Sequence, residues 1–235
     1  MIVANLSALN RDAIASPFWV WDTKSGRYRD RTTGRFLSQT NLEKLQRRHI
    51  ALIEKDIETI GELLIRRQIS LETWQETTGR ALKSLWLQEY ALGRGGVKQV
   101  EPTEWLAVGR QLREQYSYLR GFSEDINRGY SVGKDGRQIP MSESRFRARL
   151  NMYSKAAKTS FEMGKQEVAK SQGKMFMQRF INSRHPCRDC PKYARMGIQP
   201  IGALPLPGQR CQCLSACRCS VRYFGSLTEI VNSKN

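Results

Sequence analysis

The sequence predicts a mainly α protein: long amphipathic helices, an N-terminal β-hairpin arm, and a small C-terminal module stapled by zinc. Three observations predict this. Four stretches between Asn41 and Val168 repeat apolar residues every three or four positions, the period of a helix with one covered face. Residues 18–38 read instead as short aromatic strands around two glycine turns. All six cysteines of the 235-residue chain lie between Cys187 and Cys219, spaced C-x2-C, a twenty-residue span, then C-x-C-x3-C-x-C.

In chain order, residues 1–16 read as a short helix or arm ending at Ser16-Pro17. They have no basic stretch followed by an apolar core, so they do not read as a signal peptide. The next segment places Gly26 and Gly34 where a turn needs positive φ, with Trp19, Trp21, Tyr28 and Phe36 supplying an apolar face. A lone hairpin is marginal in water, so this one must dock, either on its own body or on a neighbouring subunit. Residues 1–38 form the arm, 39–175 the helical body and 176–235 the cysteine-rich module.

In the body, Leu42, Leu45, His49, Ile53, Ile57, Ile60 and Leu64 make one stripe. His49 on such a stripe reads as core or interface. Ser70 caps a second helix, with Glu72 in its first turn. Its stripe is Leu71, Trp74, Leu82, Leu85, Trp86 and Tyr90, and Gly93-Arg-Gly-Gly96 reads as the loop that ends it. Glu101-Pro102 opens a third helix, where proline's missing N–H is harmless. Its stripe runs from Trp105 through Val108, Leu112, Tyr116, Leu119 and Phe122 to Ile126, and Gly129 ends it. Residues 127–141 read as a connector with a turn at Lys134-Asp135-Gly136. Ser142 caps a fourth helix whose face runs through Phe146, Leu150, Tyr153, Ala157 and Phe161 to Val168. Residues 174–183 read as a strand or as the tail of that helix. Helices of this length with short links form a bundle or hairpin array.

The module's chemistry is that of thiolates. Without an export signal the chain meets a reducing cytosol, where clustered cysteines bind metal more often than they form disulfides. Soft sulfur suits zinc, and four thiolates close its tetrahedron with no place for water. Cys187, Cys190, Cys211, Cys213, Cys217 and Cys219 are the candidate ligands, and spacing does not say which four bind. Two could be packed as small apolar side chains, or a disulfide could coexist. His185 is a fallback ligand, stiffened by Pro186. The Pro- and Gly-rich span 197–208 should be a lobe shaped by the metal, whose role is structural.

Charge is lopsided. Residues 1–127 carry 19 basic and 16 acidic side chains, and residues 128–235 carry 20 and 6, for a net charge of +17. The basic half should face nucleic acid, a phosphate-rich surface or an acidic protein. Arg145, Arg149, Lys155, Lys158 and Lys165, on the faces of the fourth helix away from its stripe, are the candidate contacts. No apolar run reaches the roughly 18 residues that span a bilayer. With two histidines and no GxSxG, HExxH or Walker pattern, no catalytic residue stands out and the chain reads as a non-enzyme.

The run Arg184-His-Pro-Cys187-Arg-Asp-Cys190-Pro-Lys-Tyr193-Ala, then Leu204-Pro-Leu-Pro-Gly208, then the C-x-C-x3-C-Arg-C ending at Cys219, resembles the tail module of tailed-phage minor head proteins of the Mu-type head-morphogenesis group. Upstream, Arg29-Asp-Arg-Thr-Thr-Gly-Arg-Phe36 and the helices match only in general character. The resemblance implies a virion structural protein, made in the host cytoplasm and placed near the portal and special vertex. Its expected role is head assembly or joining head, portal and neck. Portal, capsid or neck proteins are the implied partners, with packaged DNA a further one through the basic half, and neither a membrane nor a small-molecule substrate. A zinc-stabilised DNA-binding protein, with the fourth helix and the module as reader, is the alternative. An enzyme of nucleic-acid processing would need a carboxylate or histidine cluster that the sequence does not display.

Overall fold

The computed structural model describes residues 19–226, so the helix or arm expected over residues 1–16 lies outside the described residues. Strands β1 (Trp19–Asp22) and β2 (Arg27–Asp30) pair antiparallel, with Trp21 opposite Tyr28. The Gly26 N–H closes the turn on the Asp22 carbonyl at 2.9 Å, and the Ser25 N–H donates to Asp22 Oδ1 at 2.8 Å. The second turn, at Gly34, returns the chain only as far as a single bridge between Arg29 and Phe36. The hairpin clips onto its own body. Trp21 meets Tyr28 edge-on and covers the backbone of Gly95, while the Tyr28 hydroxyl donates to the Leu92 carbonyl at 2.9 Å.

The body consists of α1 (Gln39–Ile65), α2 (Leu71–Arg94), α3 (Pro102–Arg128), α4 (Glu143–Ala156) and α5 (Lys158–Ser171). Ser38, Ser70 and Ser142 each cap a helix, their hydroxyls accepting the N–H of Asn41, Thr73 and Arg145. The Glu101 N–H donates to Glu104 at the start of α3. Helix α2 is central, packed against α1, α3, α4 and α5. Its Trp74, Leu82, Leu85, Trp86 and Tyr90 form the main core with Ile53, Ile57 and Ile60 of α1, Val108, Leu119 and Phe122 of α3, and Phe146 and Leu150 of α4. Each fully buried side chain of this size contributes about 1.5–3 kcal/mol, so this cluster holds the body together.

Three expectations need correction. The fourth amphipathic stretch is two helices, broken at Ala157, where the N–H bonds the Ser154 carbonyl three residues back at 3.2 Å. Ser154 turns its hydroxyl onto the Asn151 carbonyl at 3.1 Å, which bends helices, and beyond the break Ser160 donates to the Trp86 carbonyl at 2.7 Å. The break redirects α5 onto α2. Gly93 is not a loop residue but part of α2, facing Gly164 of α5; a Cβ at Gly93 would lie 2.1 Å from the Phe161 carbonyl oxygen, and one at Gly164 would lie 2.3 Å from that of Tyr90. The connector after α3 is a second hairpin, β3 (Tyr130–Val132) with β4 (Gln138–Pro140), turning at Gly136.

His49 is buried, as its stripe suggested, but its partner was not visible in the sequence. Glu89 of α2 is fully buried and accepts from Gln46 Nε2 at 2.9 Å; its other oxygen lies 2.8 Å from His49 Nδ1, and His49 Nε2 lies 2.6 Å from Gln88 Oε1. Burial pushes the Glu89 carboxyl up from its ordinary value of 4.5. The folded state therefore keeps a proton that the unfolded chain has already lost. The contribution of Glu89 to stability is complete below the ordinary glutamate value and is lost as pH rises through its folded value. Glu89→Gln should flatten that decline at a cost below about 1 kcal/mol, because the histidine tautomer and the Gln46 amide can both reverse. Glu89→Ala should lose about 1–3 kcal/mol by stranding both partners. Urea unfolding across the pH range tests this; a Glu89→Gln profile parallel to wild type would refute it.

Candidate metal centre

The C-terminal module is a three-stranded antiparallel sheet in the order β6 (Ile198–Pro200), β5 (Phe176–Phe180), β7 (Ser220–Phe224), with the short helix α6 (Asp189–Arg195) beside it. Register places Met177 opposite Tyr223 and Arg179 opposite Val221, so these four share one face. Leu204 and Leu206 from the Pro-rich lobe join Met177 and Val221 in a small buried cluster. The lobe is pinned to α5 by the Thr159 hydroxyl, which donates to the Pro207 carbonyl at 3.2 Å. At Gly208 (φ +91) a Cβ would lie 2.6 Å from Thr159 Oγ1. That apolar cluster is too small to order the loops that carry the cysteines.

Sulfur fills the gap. Cys190 comes from the first turn of α6, Cys211 and Cys213 precede a 3-10 turn at Leu214–Ala216, and Cys217 follows it. Their four Sγ atoms all lie within 4.8 Å of one another, and Cys190, Cys211 and Cys217 are buried. Four sulfurs this close can share one metal ion at a metal–sulfur distance of about 2.3 Å. All six cysteines are free thiols. Cys187, half-buried, sits outside the four with its sulfur 3.3 Å from that of Cys190. Cys219 is buried in the same cluster but is not one of the four. His185 is exposed and also lies outside them. The loop holds Leu214 at φ +38, in the left-handed region that costs a residue with a Cβ about 1–2 kcal/mol.

Crowding shifts the thiols apart. Its hydrogen bond with Cys217, then burial, pushes Cys211 up to about 12, and burial pushes Cys213 up to about 11. Burial also raises Cys190. Cys217 alone among these four moves down from its ordinary value, chiefly through its hydrogen bond with Cys211. Sulfurs so placed cannot all ionise without a cation among them.

One residue at the centre was missed. Arg179 is 1% exposed, and its Nη2 lies 3.2 Å from Cys217 Sγ, 3.5 Å from Cys211 Sγ and 3.7 Å from Cys190 Sγ. Nη1 donates to the Pro205 carbonyl at 2.9 Å, and the guanidinium carbon lies 5.1 Å from the Tyr193 ring centroid. The signal was its phase: Arg179 stands two residues after Met177, on the inward-facing set of the strand.

The five cations proposed as contacts are all engaged within the chain. Arg149 pairs with Asp125 and lies over the Phe122 ring at 4.5 Å. Lys155 reaches Glu54 at 3.7 Å and Lys165 reaches Glu162 at 3.3 Å. Arg145 donates to Ser131 at 3.3 Å, and Lys158 to the Cys217 carbonyl at 3.4 Å. By contrast, Arg184, Arg188, Lys192, Arg195, Arg210 and Arg218 of the cysteine module are exposed, and no carboxylate pairs with them among the described residues.

Comparison of the chain with protein-family models, with curated proteins and with solved structures found no match. No helix among the described residues is long and apolar enough to cross a membrane.

Proposed function

We propose that this chain is a structural component of a tailed-phage virion, a minor head protein at the portal vertex or head–neck connection that acts in head assembly. Its cysteine module holds one structural zinc ion. The observation that carries the reading is the segment from Arg184 to Cys219, in which four sulfurs lie within 4.8 Å of one another on an end pinned to the helical body. A set of four soft thiolates offers a metal no open position for water, which suits a structural zinc rather than a hydrolytic one. Portal, capsid or neck proteins would be the partners.

Purified particles test the virion assignment. The chain should sediment with them and crosslink to portal; finding it only free of particles would overturn the reading. Elemental analysis should return one zinc per chain.

The alternative, a zinc-stabilised DNA-binding protein, draws on the unpaired cations of the module. The two readings differ in duplex binding: a virion component binds weakly and without sequence preference, whereas a DNA reader discriminates between sequences. In either case the cations free of carboxylates are the ones able to release counterions. Replacing Arg184, Arg188, Lys192 and Arg195 by alanine should lower the salt slope of DNA binding by about 0.9 for each phosphate no longer neutralised. Replacing Arg149, Lys155 and Lys165 should change it little; an equal drop from that set would return the binding surface to the helices.

A further inference from the structure

We propose that Arg179 is the positioning residue of the metal centre. Its guanidinium is the fixed positive charge that lets four thiolates and one divalent ion share a dry site, and it occupies the room a second ion would need among six sulfurs. This rests on the metal reading above and goes beyond it.

The first argument is charge. Four thiolates around a divalent ion carry a net charge of −2, and buried charge is expensive unless it is paired. Arginine stays protonated under all conditions a protein meets, so Arg179 halves that residual charge whatever the pH. The second argument is what the arginine itself requires. Among the described residues its buried Nε has no hydrogen-bond partner and Nη1 has only the Pro205 carbonyl. Thiol sulfur is a weak acceptor, so three neutral thiols would leave Nη2 poorly satisfied as well. Metal-bound thiolates are strong acceptors of charge-assisted hydrogen bonds, and Nη2 already stands 3.2–3.7 Å from three of the sulfurs.

The third argument is placement. Arg179 projects from the central strand of the module's sheet, between the Tyr193 ring and the Pro205 carbonyl, so its fork is aimed before any ion arrives. A lysine cannot reproduce this, because one ammonium cannot bond the lobe carbonyl and fan across three sulfurs together.

The test uses the full chain loaded with Co2+, comparing wild type, R179K and R179M. Wild type should take one ion per chain and show the charge-transfer and d–d bands of tetrahedral cobalt thiolate. In R179M the charge-transfer band should move to lower energy, because the sulfurs lose their N–H donors, and metal affinity against a chelator should fall about 10- to 100-fold. R179K should fall between the two. A merely structural arginine would leave the band where it was. An unshifted band with unchanged affinity in R179M overturns the proposal, as do two ions per chain in wild type. Should R179M fail to fold, R179K decides: a shifted band supports the proposal and an unshifted one overturns it. A wild-type chain that takes no cobalt removes the metal reading and the role of Arg179 with it. One bound ion with an indifferent Arg179 removes only the latter.

Discussion

Treating the zinc-loaded protein with a strong chelator is expected to unfold the C-terminal module and leave the helical body standing. The main core is built by α1 to α4 and contains no side chain from the module. The module's own apolar cluster has four buried members. A structural zinc ion in a small thiolate site supplies about 10–16 kcal/mol of apparent binding free energy at neutral pH, and that energy is folding energy. Its removal should therefore outweigh everything else that orders residues 176–224. Trypsin reads the outcome, since Arg184, Arg188, Arg195, Arg210 and Arg218 are exposed side chains on a backbone that stays protected only while it is folded. Chelation should turn slow cleavage there into rapid cleavage, with little loss of far-ultraviolet helix signal. Cys211→Ser and Cys217→Ser should reproduce the effect without chelator, and Cys219→Ser should not. Acid should act like chelator, because each thiol must lose its proton to hold the metal and acid returns it. If the chelated protein keeps its protease resistance, the module is held by something other than metal.

The second large effect is expected at the crossing of α2 and α5. Gly93→Ala and Gly164→Ala should each destabilise the protein by about 3 kcal/mol or more, at the upper end of what overpacking does. The added methyl meets backbone, which cannot rotate away as a side chain can: the Phe161 carbonyl at 2.1 Å in one case, the Tyr90 carbonyl at 2.3 Å in the other. The two helices would have to separate, pulling Ser160 from the Trp86 carbonyl and Phe161 from the cluster it shares with Leu92 and the hairpin's Tyr28. Gly109 and Gly121 provide the contrast. Both lie inside α3 with open space where a Cβ would go, so alanine there should stabilise by about 0.5–1 kcal/mol through helix propensity. Chemical denaturation of the four variants measures both halves. If all four behave alike, the close crossing is not what holds α5 in place.

What could be read from the chain divides along physical lines. Stripes and caps were legible because each is local: Ser70 and Ser142 stand just ahead of their helices, and Ile53, Ile57 and Ile60 announce a face by period alone. The clustering of the cysteines was legible too, since short spacings bring thiols together under almost any fold. The requirements that arise only when distant segments meet could not be read. Gly93 looked like punctuation because its reason is a carbonyl on another helix. The break at Ala157 has neither proline nor glycine to mark it. Arg149 and Lys155 looked like an open basic face because Asp125 and Glu54 lie on other helices. Arg179 lay in a stretch readable as strand or helix tail, so its phase after Met177 had no weight until the pairing with Val221 fixed the strand.

The hairpin's docking has one more consequence. Trp21 near the start of the described residues and Phe224 near their end line the same cleft, as does Gln172. The described polypeptide thus enters and returns on one side of the molecule. A circularly permuted version, with its own ends joined through residues 1–18 and 227–235 and new ends opened in the exposed turn at Lys134–Gly136, would retain every core cluster described above. It would also carry any fused label to the new ends, away from that cleft.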